Sequence, residues 1–268
     1  MKFTEVNIND LERDEKERLF KLSILEVYSL SLNNIKEITG YITLTLGMLI
    51  ITSEYFNSDS NNSKETKLTE EALITLNNLH DIFFAESEMF FKNSIERCYI
   101  SYYQAYEVYV SNLMKIVFWF FPEFFNDKSN IDIKDIFNSD SILTVRNKLI
   151  DQKVKDTIQT NNISQLIKKF KDLFGVEIKI AKENLDYLIV ASNTRNLLIH
   201  NNGIVNNIYI QNLNSSRISS SYHNGDKVII SEKDLRDCNK FFNKIVEETN
   251  SSMVSQMEQI IKYSNSKL

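Results

Sequence analysis

NSIERCYISYYQAYEVYVSNLMKIVFWFFP, residues 93–122, decides the fold. Tyr99, Tyr102, Tyr103, Tyr106 and Tyr109 recur every three or four positions, and Phe118, Trp119, Phe120 and Phe121 follow as a run. That is the period of a helix. Pro122 ends it, because a proline disfavours the helical conformation in the residue before it. Aromatic side chains at this spacing belong to a core rather than to a base-stacking platform. The rest of the chain agrees. Five Gly and one Pro in 268 residues are too few for the frequent turns of an all-β or α/β chain. With 43% hydrophobic and 25% charged residues, the composition is that of a folded, mainly α protein.

Working toward the N-terminus, a helix is expected from about Thr69 to Phe91, with Leu73, Leu76, Leu79, Ile82 and Phe83 on one side. Thr69-Glu70-Glu71 gives it an acidic first turn. Asn57 to Lys67 reads as a polar linker. Residues 10–56 read as one long helix or two in series, with Leu19, Leu22, Ile24, Leu25, Tyr28, Leu32 and Ile35 as the apolar stripe. Tyr41 to Ile51 is the most membrane-like stretch, but a span needs about 20 residues, so a buried helix is expected there.

Toward the C-terminus, residues 123–140 form a mixed connection, followed by helices at 141–172 and 177–200, divided near Phe174-Gly175. Asn201-Asn202-Gly203 is a helix stop. Val205 to Ile210 and Lys227 to Ile230 read as two short strands joined through Asn224-Gly225-Asp226, and a last helix is expected over 231–263. No internal repeat is visible. The expected division is a helical region over 1–92 and a second helical domain over 93–268.

Charge is unevenly spread. Residues 1–92 carry 9 Lys/Arg against 16 Asp/Glu, a balance of −7 within a total of −5. Residues 141–200 carry 10 against 6, a balance of +4. Lys168, Lys169 and Lys171 in that basic stretch suit a phosphate backbone. Cys98 and Cys238 make no metal or disulfide framework from spacing alone. The first residues are charged rather than signal-like, so a cytoplasmic location and no membrane association are expected. No Gly-rich phosphate loop supports a nucleotide-binding reading.

Of three histidines, His80 lies in an amphipathic helix and His223 in a Ser-rich loop six residues after Arg217. His200 closes Arg195-Asn196-Leu197-Leu198-Ile199-His200 on a helix. The stretch RNLLIHNNGIVNNIYI resembles the R-N-x-x-x-H segment of the HEPN superfamily. YHNGDKVIIS is similar to the short hairpin that follows the motif helix in prokaryotic families of that group, and Tyr106-Glu107-Val108-Tyr109 to its aromatic helix with a Glu. The resemblance covers about residues 93–248. It implies a HEPN-like helical bundle with a small β-hairpin after the motif helix, extended here by the N-terminal region.

The resemblance also implies a homodimer in which two copies of the motif compose one site for cleaving RNA, tRNA included, without a metal or other cofactor. Arg195, Asn196 and His200 would be catalytic, and Lys168, Lys169, Lys171 and Asn201 would bind substrate. Such proteins act in abortive infection, anti-phage defence or as toxins, some under an antitoxin or another defence-system partner. In one branch that control uses a Tyr two residues after the His; here that position is Asn202, so the same control is not expected. The alternative is a non-catalytic dimerisation, RNA-binding or regulatory subunit.

The residue types fit the chemistry. Histidine titrates near neutral pH and serves as acid or base, and arginine offers a charged planar fork to phosphate. On a helical wheel with Asn193 at zero, Leu185, Leu188, Ser192 and Ile199 centre near about 250°. Arg195 falls at about 200°, Asn196 at about 300° and His200 at about 340°. Arg195 and His200 are thus expected to flank a buried apolar stripe.

Overall fold

The computed structural model describes residues 11–58, 70–125, 139, 141–159, 163–216 and 221–266. It is mainly α. Its helices are α1 (Arg13–Ser58), α2 (Glu70–Phe120), α3 (Ile142–Gln159), α4 (Ile163–Phe174), α5 (Lys182–Asn201), α6 (Asn207–Ser215), α7 (Glu232–Ser255) and α8 (Met257–Asn265). A 3-10 turn, Pro122–Phe124, follows α2. The proline sits where its missing N–H costs nothing, at the start of that turn.

Helix α2 is the axis of the molecule, with α1, α3, α5 and α7 packed on it. All nine aromatic residues from Tyr99 to Phe121 noted above are 6% exposed or less. Rings this large need enclosure, and four neighbouring helices pack on α2 to provide it. Phe20 of α1 meets Phe120 at 5.4 Å and Phe121 at 5.0 Å, edge-on to the latter. Farther along, Thr39 Oγ1 lies 2.8 Å from the Tyr102 hydroxyl. These two contacts fix α1 and α2 as an antiparallel pair. Asn239 of α7 closes the second contact, its amide donating to Thr39 Oγ1 at 2.6 Å and to the Tyr102 hydroxyl at 3.2 Å.

The position expected to divide two domains, 92/93, lies inside α2, and α1 packs on both α2 and α7. The apolar stripe of α1 differs in part from the expected one. Phe20, Ile24, Val27 and Ile35 are buried with Ser23 and Ser31, while Leu22 and Leu25 are exposed. Small serines on the inner face let α1 approach α2 closely, and Ser23 Oγ satisfies itself on Leu19 O at 2.7 Å. Within the membrane-like stretch Ile42 is buried, but Tyr41 and Leu44 face outward. No helix among the described residues is long and apolar enough to cross a membrane. The side chains of Leu73, Leu76, Leu79, His80, Ile82 and Phe83 lie outside the described residues, as do most of the expected linker and of the 123–140 connection.

Among the described residues there is no strand, only an isolated antiparallel bridge between Ile204 and Lys227. The hairpin expected after the motif helix is therefore corrected. Val205 does pair with the later segment, its N–H donating to Asp226 O at 2.8 Å. Residues 207–210, however, open α6. Asn206 caps that helix by accepting the Tyr209 N–H on its side chain at 2.9 Å. Ser231 and Asp234 form a reciprocal capping box at the start of α7. The single last helix expected is divided at Gln256, whose side-chain amide donates to Glu177 O at 2.7 Å. The expected 141–172 helix is likewise two, α3 and α4.

Candidate functional site

Helix α5 presents the motif. It ends at Asn201, where Asn202 (φ 49°) and Gly203 (φ 75°) take successive left-handed conformations. The N–H of Gly203 donates to Leu197 O at 3.1 Å, satisfying a terminal carbonyl.

The buried face of α5 is Asn184, Leu188, Ala191, Thr194, Leu197 and Leu198. It centres roughly 110° away from the expected stripe. Hydropathy put Asn184 and Thr194 outside, but each has a partner inside. Asn184 donates to Glu248 Oε1 at 2.7 Å, and Thr194 Oγ1 lies 2.9 Å from the Tyr209 hydroxyl. Paired polar groups are tolerated in a core. Leu188 is the one member of the expected stripe that is buried, and Ile199 is 41% exposed.

This rotation sets the surroundings of Arg195. The residue lies at the edge of the buried face with its side chain 21% exposed. Its Nη2 is 3.5 Å from Glu107 Oε2 on α2, and Nη1 donates to Asn196 Oδ1 at 2.8 Å. The guanidinium carbon is 5.8 Å from the centroid of the Tyr103 ring, within cation–π range. Nε is buried and unpartnered. The Tyr103 hydroxyl donates to Ser192 Oγ at 2.9 Å, and burial pushes this phenol up to about 12. Burial also raises the Glu107 carboxyl above its ordinary value, with Arg195 pulling it partly back.

His200 is exposed, and its side chain makes no hydrogen bond or ion pair among the described residues. It lies five positions after Arg195, roughly 7.5 Å of rise and 140° of rotation, so the two side chains diverge. Within one chain the structure brings Arg195 together with Asn196, Glu107 and Tyr103, and not with His200. Asn201 is exposed, but its amide donates to Ile204 O and so braces the helix-ending turn.

Lys168 and Lys171 are exposed on α4, Lys169 partly so, and Lys171 pairs loosely with Glu177 at 3.5 Å. Burial lowers the proton affinity of the Lys153 ammonium on α3, and the nearby Lys169 lowers it further. Phe174, at the end of α4, packs on Phe118 at 5.1 Å. Eleven residues of α2, roughly 16 Å of rise, separate that contact from Glu107. The basic helix is thus beside the motif region rather than part of it. Arg217 lies outside the described residues, while His223 is exposed in a loop with Asp226.

Glu107 and Tyr103 are the site residues to which sequence reasoning gave no role. They sit on a helix remote in sequence, as Tyr103 and Ser192 are 89 residues apart. Their only trace in the sequence was the Glu within the aromatic helix. A separate cavity of about 400 Å³ is lined by Phe118, Pro122, Phe125, Ile142, Arg146 and neighbouring leucines and isoleucines. Arg146 stacks on the Trp119 ring at 4.5 Å and donates to the Trp119 carbonyl oxygen. Among the described residues no second polar side chain lines that cavity, which suits packing better than chemistry. Among the described residues no cluster of three or more His, Cys, Asp or Glu is placed to hold a metal ion.

Comparison with family models, curated proteins and solved structures found no match to this chain.

Proposed function

We propose that this protein is a metal-independent endoribonuclease of HEPN type, acting in anti-phage defence or as a toxin. Its carrying observation is the state of Arg195. A guanidinium in the flank of α5 is hydrogen-bonded to Asn196 and lies beside Glu107, yet keeps a fifth of its side-chain surface open. His200 stands free on the same helix. Arg195 stabilises the charge that develops on the phosphoryl oxygens, His200 transfers a proton and Asn196 holds the guanidinium in plane. Lys168, Lys169 and Lys171 take flanking phosphates of a longer RNA.

A second copy completes the site. Ile199 and, next to Glu107, Val108 are 41% and 50% exposed. Apolar residues at those positions favour burial against a partner, and a twofold pairing of α5 brings two Arg195 and two His200 into one cleft. The competing reading is a non-catalytic RNA-binding or regulatory subunit. It is favoured by the divergence of Arg195 and His200 within one chain.

The test is purified protein with total RNA in EDTA, wild type beside Arg195→Ala and His200→Ala. Cleavage by the wild type alone, leaving 2′,3′-cyclic phosphate ends, supports the enzyme. Cleavage that survives both substitutions removes the motif from the chemistry, and RNA binding without cleavage by any variant supports the subunit.

A further inference from the structure

Cleavage by 2′-oxygen attack requires two proton transfers, one from the nucleophile and one to the leaving oxygen. Within one chain the motif supplies one group able to make them, His200, and its side chain diverges from Arg195. A group beside a phosphate held by Arg195 must come from the neighbouring α2. Two titratable side chains adjoin that guanidinium, Tyr103 and Glu107. Tyr103 is 3% exposed, and its proton is engaged by Ser192. It is enclosed and in the wrong protonation state for a base.

Glu107 differs on each count. Its side chain is 28% exposed, and it meets Arg195 through a single contact of 3.5 Å. A structural Arg–carboxylate pair is commonly two-pronged at about 2.7–2.9 Å. Arg195 Nε is buried, so a phosphate meets the guanidinium at its open Nη end. The long Glu107 contact there is loose enough for a phosphate to share the guanidinium while the carboxylate stays alongside. We propose that Glu107 is the general base of this site, taking the proton of the ribose 2′-hydroxyl while Arg195 holds the adjacent phosphate. The proposal rests on the ribonuclease reading above.

The step balances within the site. The 2′-O–H proton passes to a Glu107 carboxylate oxygen as O2′ forms its bond to phosphorus. The P–O5′ bond breaks, and the His200 imidazolium gives its proton to O5′. The products are a 2′,3′-cyclic phosphate and a 5′-hydroxyl, after which Glu107 returns its proton to water. Among the described residues, Arg195 from α5 and Tyr103 from its own helix are the charged and titratable groups that face Glu107. Burial raises the Glu107 carboxyl and so makes its carboxylate a stronger base than a free one, while the neighbouring Arg195 pulls it partly back.

The experiment compares wild type, Glu107→Gln, Glu107→Asp and His200→Ala on an RNA oligonucleotide in EDTA across the acid-to-neutral range. A second substrate carries sulfur in place of the bridging 5′-oxygen, a leaving group that needs no acid. Glu107→Gln is expected to lose about a hundredfold in kcat with KM little changed, and to lose the acid limb of the pH profile. Glu107→Asp recovers part of the rate. The sulfur substrate restores His200→Ala and leaves Glu107→Gln slow. A Glu107→Gln protein that keeps the acid limb, or that the sulfur substrate restores, overturns the base assignment while the ribonuclease reading stands. A wild type that cleaves neither substrate overturns both.

Discussion

Tyr103 couples the candidate site to the acid–base behaviour of the whole core. Its phenol donates to Ser192 inside the α2–α5 contact and is pushed up to about 12 by burial. In an unfolded chain a tyrosine ionises near about 10. Below that pH both states keep the proton, and the group contributes nothing to pH dependence. Between the two values the unfolded chain releases the proton and the folded one does not, so stability falls as pH rises. Two units at about 1.4 kcal/mol each make the loss roughly 3 kcal/mol for this one residue.

Tyr106, Tyr109 and Tyr187 are displaced in the same direction by burial, and further. Their combined losses reach the ~5–15 kcal/mol that holds a typical domain together before Tyr103 reaches its own folded value. Alkaline titration is therefore expected to unfold the protein in one cooperative step between about pH 10 and 12. Tyrosinate absorbance and far-UV circular dichroism, followed together, should change at the same midpoint. Gradual ionisation near pH ~10 with the helical signal intact would refute the reasoning, because it would mean that these phenols are not enclosed.

Two substitutions test the packing and the end of the motif helix. Phe242 of α7 is fully buried against Tyr102, Tyr103 and Tyr106, with ring centroids 6.5, 6.2 and 6.1 Å away. Phe242→Ala is expected to cost roughly 3–5 kcal/mol in urea unfolding, and a loss under about 1 kcal/mol would place that ring outside the core. Gly203→Ala forces a Cβ onto φ 75° at 3.4 Å from both Leu198 Cδ2 and Val228 O. A loss of roughly 1–2 kcal/mol is expected, read as a lower Tm, while an unchanged Tm would mean that α5 does not need this left-handed stop.

Much of the framework was legible because it is written in local patterns. The tyrosine spacing on α2, the Pro122 stop and the Asn201-Asn202-Gly203 stop each appear in the structure where the residues put them. Val205 to Ile210 misled because its apolar residues match a short strand, while the decisive signal was the Asn206 cap. The inner face of α5 was missed for another reason. It includes Asn184 and Thr194, which are buried only because Glu248 and Tyr209 are there to receive them. Those partners come from other helices, 64 and 15 residues along the chain, and the pattern along α5 itself names neither. The same holds for Glu107 beside Arg195. A residue type at a plausible spacing indicates what chemistry is available, but which groups share a site depends on how α2 and α5 cross.

The length of α2 has a consequence for how the protein moves through solution. Its 51 residues run for about 76 Å of helix. A compact sphere built from 268 residues would be under about 50 Å across. Helix α2 alone, if straight, is longer than such a sphere is wide, and an elongated particle meets more friction than a sphere of equal mass. A single copy should therefore leave a sizing column early, at the position of a globular protein heavier than its own 31.4 kDa. Light scattering or sedimentation equilibrium, which weigh particles regardless of their shape, are the measurements that distinguish one copy from two.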